Sequence, residues 1–329
     1  MLNYLRSVAV TVLLCFTANG DDGLKMDMTI GSIEYKGKYQ ILADLSGDVV
    51  AFCDQDKLYK LELASKPLLS ISACPNGKEL LLFHEDGTLS IWDLEKQKRV
   101  WTDKLAEGAN SGEAYLGENQ RIAVVIHLTK EKNLDGFITV FDAQTTEQPK
   151  KILFPNRSIS FSSQIDDRRI FLSYVDKDRR DRLAIADLKQ LKLILDVPCE
   201  CNVLYSAIDI QTKKIDVCLM NDDKKVFQYD LDTLKFELSY EVFGDAPGRI
   251  QFAFSGRYLL VCGRLRIMEI IDMKTKKNLG VIEGMYVNCF KVSPNGKQVV
   301  VARSKEATSH DNYISTFDVK DLITLAKQP

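Results

Sequence analysis

An all-β fold built from a repeated unit is what this sequence predicts, and three observations carry the prediction. A strand-like run closing on Asp recurs seven times: "VVAFCD" to Asp54, "LSIWDL" at Asp93, "ITVFDA" at Asp142, "LAIADL" at Asp187, "FQYDL" at Asp230, "MEIIDM" at Asp272 and "ISTFDV" at Asp318, spaced 39 to 49 residues apart. A short turn ending in a base also recurs seven times, at Lys38, Lys78, Arg121, Arg169, Lys214, Arg257 and Lys297, spaced 40 to 48 residues apart. Helical periodicity is nearly missing between these markers. Two unrelated markers of like period, interleaved along the chain, identify a repeat.

Each unit reads in the same order. After the base comes an apolar strand, such as "ELLLFH", "RIAVVIH", "RIFLSYV", "RYLLVCG" or "QVVVAR". Runs of Val, Ile and Leu of this length suit a strand buried on both faces. A polar turn follows, as in "EDG", "LDG", "NDDK" and "SHDN". These supply Asn, Asp or Gly for the positive φ of tight hairpins. Next is the strand that ends on the marker Asp, and then a weaker fourth strand, as in "RVWTDKL" or "KKILF". An outer strand needs less apolar patterning because one side meets water. Four antiparallel strands per unit of about 40 to 45 residues is the pattern of a propeller blade. The prediction is a seven-bladed β-propeller of four-stranded antiparallel blades, one domain over residues 23–329.

The outer strand of the last blade has two sources, residues 322–326 ("LITLA") or residues 23–28 ("GLKMDM"). The second closes the ring by pairing N- and C-terminal strands, which removes an exposed edge. One stretch, "DVKDLITLAKQ", reads as a helix or as a strand plus tail.

Residues 1–22 fall outside the repeat. Arg6, an apolar run from Val8, and small residues at Ala18 and Gly20 have the layout of a secretory signal. The same run, "VAVTVLLCF", also reads as an extra strand. Cysteine usage points to a reducing, intracellular compartment. Cys53, Cys218, Cys262 and Cys289 sit in strand-like runs, Cys199 and Cys201 are too close for an ordinary bridge, and no Cys-x-x-Cys pair is present. Export is expected if residues 1–20 are a signal, and "NRS" at Asn156 then becomes a glycosylation acceptor.

Charge narrows the partners. The 44 basic and 46 acidic residues are spread along the chain, giving a net charge of −2 and no broad basic field, so nucleic acid is not expected. No apolar run reaches the roughly 18 residues of a spanning helix. The loop "DKDRRDR", residues 176–182, interleaves its bases with three aspartates and reads as a solvated turn.

At "DGTLSIWDLEKQKRVW" and "VSPNGKQVVVA" the chain resembles the WD-repeat family of β-propellers. The likeness in spacing covers roughly residues 24–326, but only Trp92-Asp93 shows the family's dipeptide, and no histidine follows a glycine. Asp86, Asp135 and Asp311 stand where that family places a turn aspartate. The resemblance implies a non-catalytic platform that binds a protein or peptide through the loops of one face.

No nucleophile elbow, phosphate loop or dinucleotide fingerprint is present, and no cofactor is expected. Counting six residues from each base brings Asp44, His84 and His127 to matching strand ends. Two histidines and a carboxylate are a possible divalent metal set. Neighbouring blades, however, are on the order of 10 Å apart, far beyond metal–nitrogen bonds. This trio is the basis of the alternative reading, a propeller enzyme of the lactonase or metal-dependent hydrolase kind. A third reading is a fragment of a larger multi-propeller protein.

Overall fold

The structure is a computed structural model. It describes, with side chains, residues 68–74, 78–105, 111–117, 121–127, 136–145, 149–153, 158–220, 224–242, 249–263, 267–282, 286–293, 295–304 and 313–326; in residues 24–26, 30–36, 39–44, 49–53, 57–61, 128, 247–248 and 312 it describes the backbone alone. The segment 1–22, Asp54, Asp135, Asn156 and Asp311 lie outside the described residues.

Among the described residues the strands pair into seven four-stranded antiparallel sheets. A short strand β1 (Leu24–Met26) comes first. The first complete hairpin series is β2 (Ile30–Lys36), β3 (Tyr39–Asp44), β4 (Val49–Cys53) and β5 (Lys57–Leu61). Next come β6 (Leu68–Ala73), β7 (Glu79–His84), β8 (Thr88–Asp93) and β9 (Lys98–Lys104). The third sheet is β10 (Ser111–Leu116), β11 (Arg121–Leu128), β12 (Phe137–Asp142) and β13 (Lys150–Leu153). The fourth is β14 (Ser158–Gln164), β15 (Arg169–Val175), β16 (Asp181–Asp187) and β17 (Lys192–Pro198). The fifth is β18 (Val203–Asp209), β19 (Lys214–Leu219), β20 (Lys225–Asp230) and β21 (Phe236–Glu241). The sixth is β22 (Pro247–Ala253), β23 (Tyr258–Gly263), β24 (Met268–Asp272) and β25 (Lys277–Ile282). The last is β26 (Tyr286–Val292), β27 (Gln298–Ser304) and β28 (Asn312–Asp318), with β1 as its fourth strand.

The first strands of the sheets face one another around an axis. β6 lies beside β2 and β10, β18 beside β14 and β22, and β26 beside β22 and β2, while β14 also meets β11. Burial follows that arrangement. The second strands β7, β15, β19 and β23 are buried almost throughout, whereas the outer strands β9 and β13 are mostly exposed. The core is therefore a set of seams between neighbouring sheets. In one, Phe83, Leu81 and Leu89 of the second sheet meet Leu116, Val124 and Phe141 of the third. A two-layer contact of this kind is what buries a face that no single sheet can cover.

The two sequence markers are partners in space. Arg121, Arg169 and Lys214 face Asp142, Asp187 and Asp230 across their hairpins, while in the second, sixth and seventh sheets the base stands one residue ahead of Glu79, Tyr258 and Gln298, which face Asp93, Asp272 and Asp318. Each described marker Asp turns its side chain into the following turn. Its Oδ1 accepts a backbone N–H from Lys96 (2.8 Å), Gln144 (3.0 Å), Gln190 (2.8 Å), Thr233 (3.0 Å), Lys274 (2.8 Å) or Lys320 (2.9 Å). This is the local side-chain capping for which Asp is selected in turns. Four residues after Asp93, Asp187, Asp230 and Asp272, the backbone takes positive φ at Gln97, Leu191, Leu234 and Lys276. That is the left-handed residue of a three-to-five-residue hairpin with a bulge.

The seventh marker does something else. Asp318 caps a helix, α1 (Val319–Leu325), whose Val319 and Leu322 are buried with Leu260, Ile270 and Ile282 of the sixth sheet. The stretch "LITLA" is thus helical, and the outer strand against β28 is β1, with Leu24 opposite Ile314. Helix wins there because Asp318 supplies an N-cap and the apolar residues fall one turn apart.

Candidate functional site: the central channel

A cavity of about 670 Å³ runs along the axis between β6, β10, β14, β18, β22 and β26. Its walls mix polar residues of the first strands, such as Ser70, Glu113, Ser162 and Arg249, with apolar ones such as Leu69, Ile71 and Ile250.

The strand register fixes which residues share a level. Ser70, Glu113, Phe161, Tyr205, Arg249 and Cys289 face Phe83, Val125, Ser173, Cys218, Cys262 and Ala302, each four residues on from the position opposite a marker Asp. Near this level every sheet has a bulge. In six sheets the extra residue lies on the first strand, at Gly31, Leu69, Ser160, Leu204, Gly248 and Asn288. In the third sheet it lies on the second strand, because Ser111 faces Leu128 and Gly112 faces Ile126, leaving His127 unpaired in register. The bulge re-aims that side chain.

His127 accordingly joins a polar cluster on the channel wall. Its Nε2 lies 3.0 Å from Ser162 Oγ, and Ser162 Oγ donates to Glu113 Oε2 at 2.7 Å. The Tyr115 hydroxyl also donates to Glu113, and Tyr115 Oη lies 3.0 Å from Ser162 Oγ. Burial holds the His127 imidazole down to about 4, so it is neutral at neutral pH. Burial pushes the Glu113 carboxyl up, against the lowering effect of the hydrogen bonds from Tyr115 and Ser162. In a serine triad the acid sits on the far side of the histidine. Here both the acid and the histidine meet the hydroxyl, so the cluster ties β10, β11 and β14 together rather than activating Ser162.

The other side of the channel is basic. Arg249 on β22 and Lys291 on β26 both line the cavity, with Gln251 level with Lys291 and two residues along β22 from Arg249. The Gln251 carbonyl accepts the Val292 N–H at 2.7 Å, which stitches β22 to β26. Comparable cross-sheet bonds run from Ala114 N–H to Ser70 Oγ (2.9 Å) and from Leu116 N–H to Ser72 Oγ (3.1 Å). These bonds hold the channel wall to a fixed shape.

The proposed trio of Asp44, His84 and His127 is corrected by the register. Counted from the residue facing the marker Asp, His84 is the fifth along its strand and His127 the sixth, so Ile126 is the counterpart of His84. A one-residue slip turns a side chain to the other face. Phe83 packs into the seam with the third sheet, which sends buried His84 toward the preceding sheet, while His127 points to the fourth. Counting from the bases failed because the base stands one residue out of phase in the second sheet relative to the third. Asp44 ends β3, and its side chain lies outside the described residues. Among the described residues no group of three His, Cys, Asp or Glu side chains has metal-binding geometry. Trp92 is half-buried and donates to Ser90 Oγ at 3.1 Å, bracing its strand. Asp86 accepts the Thr88 N–H at 3.0 Å in the hairpin turn. The loop 176–182 is closed by Asp176, which accepts the N–H groups of Asp178 and Arg180, with Arg182 held by Asp196 at 2.6 Å.

A second buried cluster lies at the seam of the fifth and sixth sheets. Asp216 accepts from the Tyr240 hydroxyl and from Gln228 Nε2 (2.8 Å), and Lys276 Nζ donates to Gln228 Oε1 (3.1 Å). Burial raises the Asp216 carboxyl to about 6, the hydrogen bonds from Tyr240 and Gln228 offsetting part of the effect. Sequence reading passed over it because Asp216 sits inside the apolar run "KIDVCLM".

No protein-family model matches the chain, and none of the curated proteins matches it in sequence. Among solved structures it is similar to the β-propeller domain of Cps50 (Swd1) from Myceliophteria thermophila, with a TM-score of 0.70 and 12% identity, over 88% of this chain and 97% of that one. At this identity the likeness is one of fold. The chain has a β-propeller fold with four-stranded antiparallel blades.

Proposed function

We propose that the seven sheets close into one ring, through β26 against β2 and β1 against β28, and that this ring is a non-catalytic platform for a protein or peptide partner. The observation that carries the reading is the axial channel: an open, mostly polar cavity whose walls are strands rather than mobile loops, cross-linked between sheets by Ser70, Ser72 and Gln251. A rigid, polar opening ringed by strand ends binds with little ordering cost. The likeness to the propeller domain of Cps50 supports the fold on which this rests. Among the described residues no helix is long and apolar enough to cross a membrane.

Affinity purification of the full-length chain with cross-linking mass spectrometry tests the proposal. Partner cross-links are expected to gather at the channel mouth, with Lys291 among the reactive groups. Cross-links confined to outer-strand lysines such as Lys98 and Lys192 would count against it.

A further inference from the structure

We infer that the channel takes an uncharged amide side chain, Asn or Gln, from a loop of the partner protein, seated between Ser163 on β14 and Ser206 on β18. The inference rests on the platform reading and adds the chemistry of what is bound. Both serines line the cavity, and both turn into the seam of the fourth and fifth sheets. Phe161, two residues before Ser163, and Ile208, two residues after Ser206, pack into that seam, while Ala207 packs into the next one. Alternate residues of a strand share a face. The Ser206 hydroxyl is buried and has no hydrogen-bond partner among the described residues. The Ser163 hydroxyl, half-buried and one level away, has none among them either.

The preceding seam shows what is missing. Ser162 and Ser206 are counterparts, facing the third residue on from Arg169 and Lys214. Tyr115 and Ser163 are counterparts too, facing the second residue on from Arg121 and Arg169. Between the third and fourth sheets Tyr115 spans the gap, its Oη 3.0 Å from Ser162 Oγ, and Glu113 accepts from both hydroxyls. Between the fourth and fifth, Ser163 is too short to span it, and Phe161 stands in the place of Glu113. The notch thus offers two hydroxyls and an apolar wall. A buried hydroxyl without a partner costs free energy that an incoming group recovers. Each hydroxyl can donate and accept, and an amide meets both needs with its N–H and C=O groups. The described charged residues lining the cavity are Glu113, Arg249 and Lys291, none of them on β14 or β18. An ion seated in this notch would lose hydration without gaining a paired charge.

The test uses the full chain and a fluorescent hexaglutamine peptide, read by anisotropy, with hexaglutamate, hexalysine and hexaserine peptides for comparison. Hexaglutamine binding is expected, with Ser206→Ala and Ser163→Ala each weakening it about three- to tenfold. Ser206→Ala should also hold or raise the melting temperature, because it removes a buried hydroxyl that the free chain leaves unpaired. Ser162→Ala, at the bonded counterpart, should lower the melting temperature. Ser163→Tyr, which fills the notch as Tyr115 fills its own seam, should abolish binding, its melting temperature separating lost binding from lost folding. Lys98→Gln on the outer surface should keep full affinity. Equal binding by Ser206→Ala and wild type would overturn the assignment, as would a fall in the melting temperature of that variant. Binding of hexaglutamate, hexalysine or hexaserine as tight as that of hexaglutamine would also overturn it. If no peptide binds while partner cross-links still gather at the channel mouth, the platform stands and the amide assignment falls.

Discussion

Arg168 reaches across its hairpin to place Nε 2.7 Å from Asp187 Oδ2, and Asp187 is almost completely buried while half of Arg168 stays in water. The same carboxylate accepts the N–H groups of Lys189 (2.9 Å) and Gln190 (2.8 Å). One side chain thus satisfies the turn and anchors the base. Asp187→Ala should cost about 1–3 kcal/mol in urea unfolding, because it removes the buried acceptor shared by Arg168 and the Lys189 and Gln190 N–H groups. Asp318→Ala, at an exposed helix cap, should cost only about 1 kcal/mol. The Arg168 hydrogen bond holds the Asp187 carboxyl below its usual value, ahead of the turn N–H bonds. Its contribution is therefore full above the unfolded carboxylate value near 4 and is lost as the pH falls through the lower folded value.

Two buried groups oppose each other in mildly acid solution. Asp216, raised to about 6, holds its proton more tightly when folded, so its contribution is greatest below about 4 and is lost as the pH rises through 6. His127, lowered to about 4, is neutral when folded, so its contribution is full above the unfolded value near 6.5 and is lost as the pH falls through 4. Each amounts to on the order of 3 kcal/mol, and the two slopes have opposite signs. In the wild type these two slopes offset each other between pH 4 and 6, and the raised Glu113 carboxyl adds to the falling one. Asp216→Asn should make stability climb with pH over that window, and His127→Gln should make it fall. Denaturation midpoints at closely spaced pH values read the sign directly.

The left-handed turn positions separate backbone strain from packing. Gln97 is exposed at φ 53°, so Gln97→Gly should gain up to about 1 kcal/mol by removing the Cβ clash. Leu234 sits at φ 52° in the next-but-two sheet but is 2% exposed. Leu234→Gly should lose about 2–5 kcal/mol despite the same relief, because it opens a cavity. Thermal melts of the two variants should move in opposite directions.

Gly256 is at φ 80°, and a side chain there would run into the Asp209 carboxylate, which accepts from Thr212 Oγ1 at 2.7 Å. Gly256→Ala should cost about 2 kcal/mol or more. Pairing it with Asp209→Ala should recover part of the steric share, so a double-mutant cycle will show favourable coupling. Additive losses would mean that the turn shifts rather than the carboxylate.

The strands were legible because the second strands whose side chains are described are buried on both faces and read as mostly apolar runs. They were legible also because the marker Asp closes a turn in five sheets, at Asp93, Asp142, Asp187, Asp230 and Asp272. The level of a side chain along a strand was not legible. A count from Lys78 and a count from Arg121 start one residue apart in register, and nothing in "GENQR" announces it. The bulge at His127 is equally silent, since bulging either strand of a pair consumes one residue. Arg249 and Lys291 were missed because the first strands alternate around an axis that has no apolar signature. The available clue was a lone base inside an otherwise strand-like run, as in "GRIQFAF" and "CFKVSP".

Because five wedges each close a hairpin with their own aspartate, damage at one such joint has no direct route to the next. A saturation scan scored by cellular abundance would then draw evenly spaced stripes along the chain, dark at the capping carboxylates and pale at the outer edges. The third stripe set would carry an extra dark band at His127, the one place where the pattern's phase is broken.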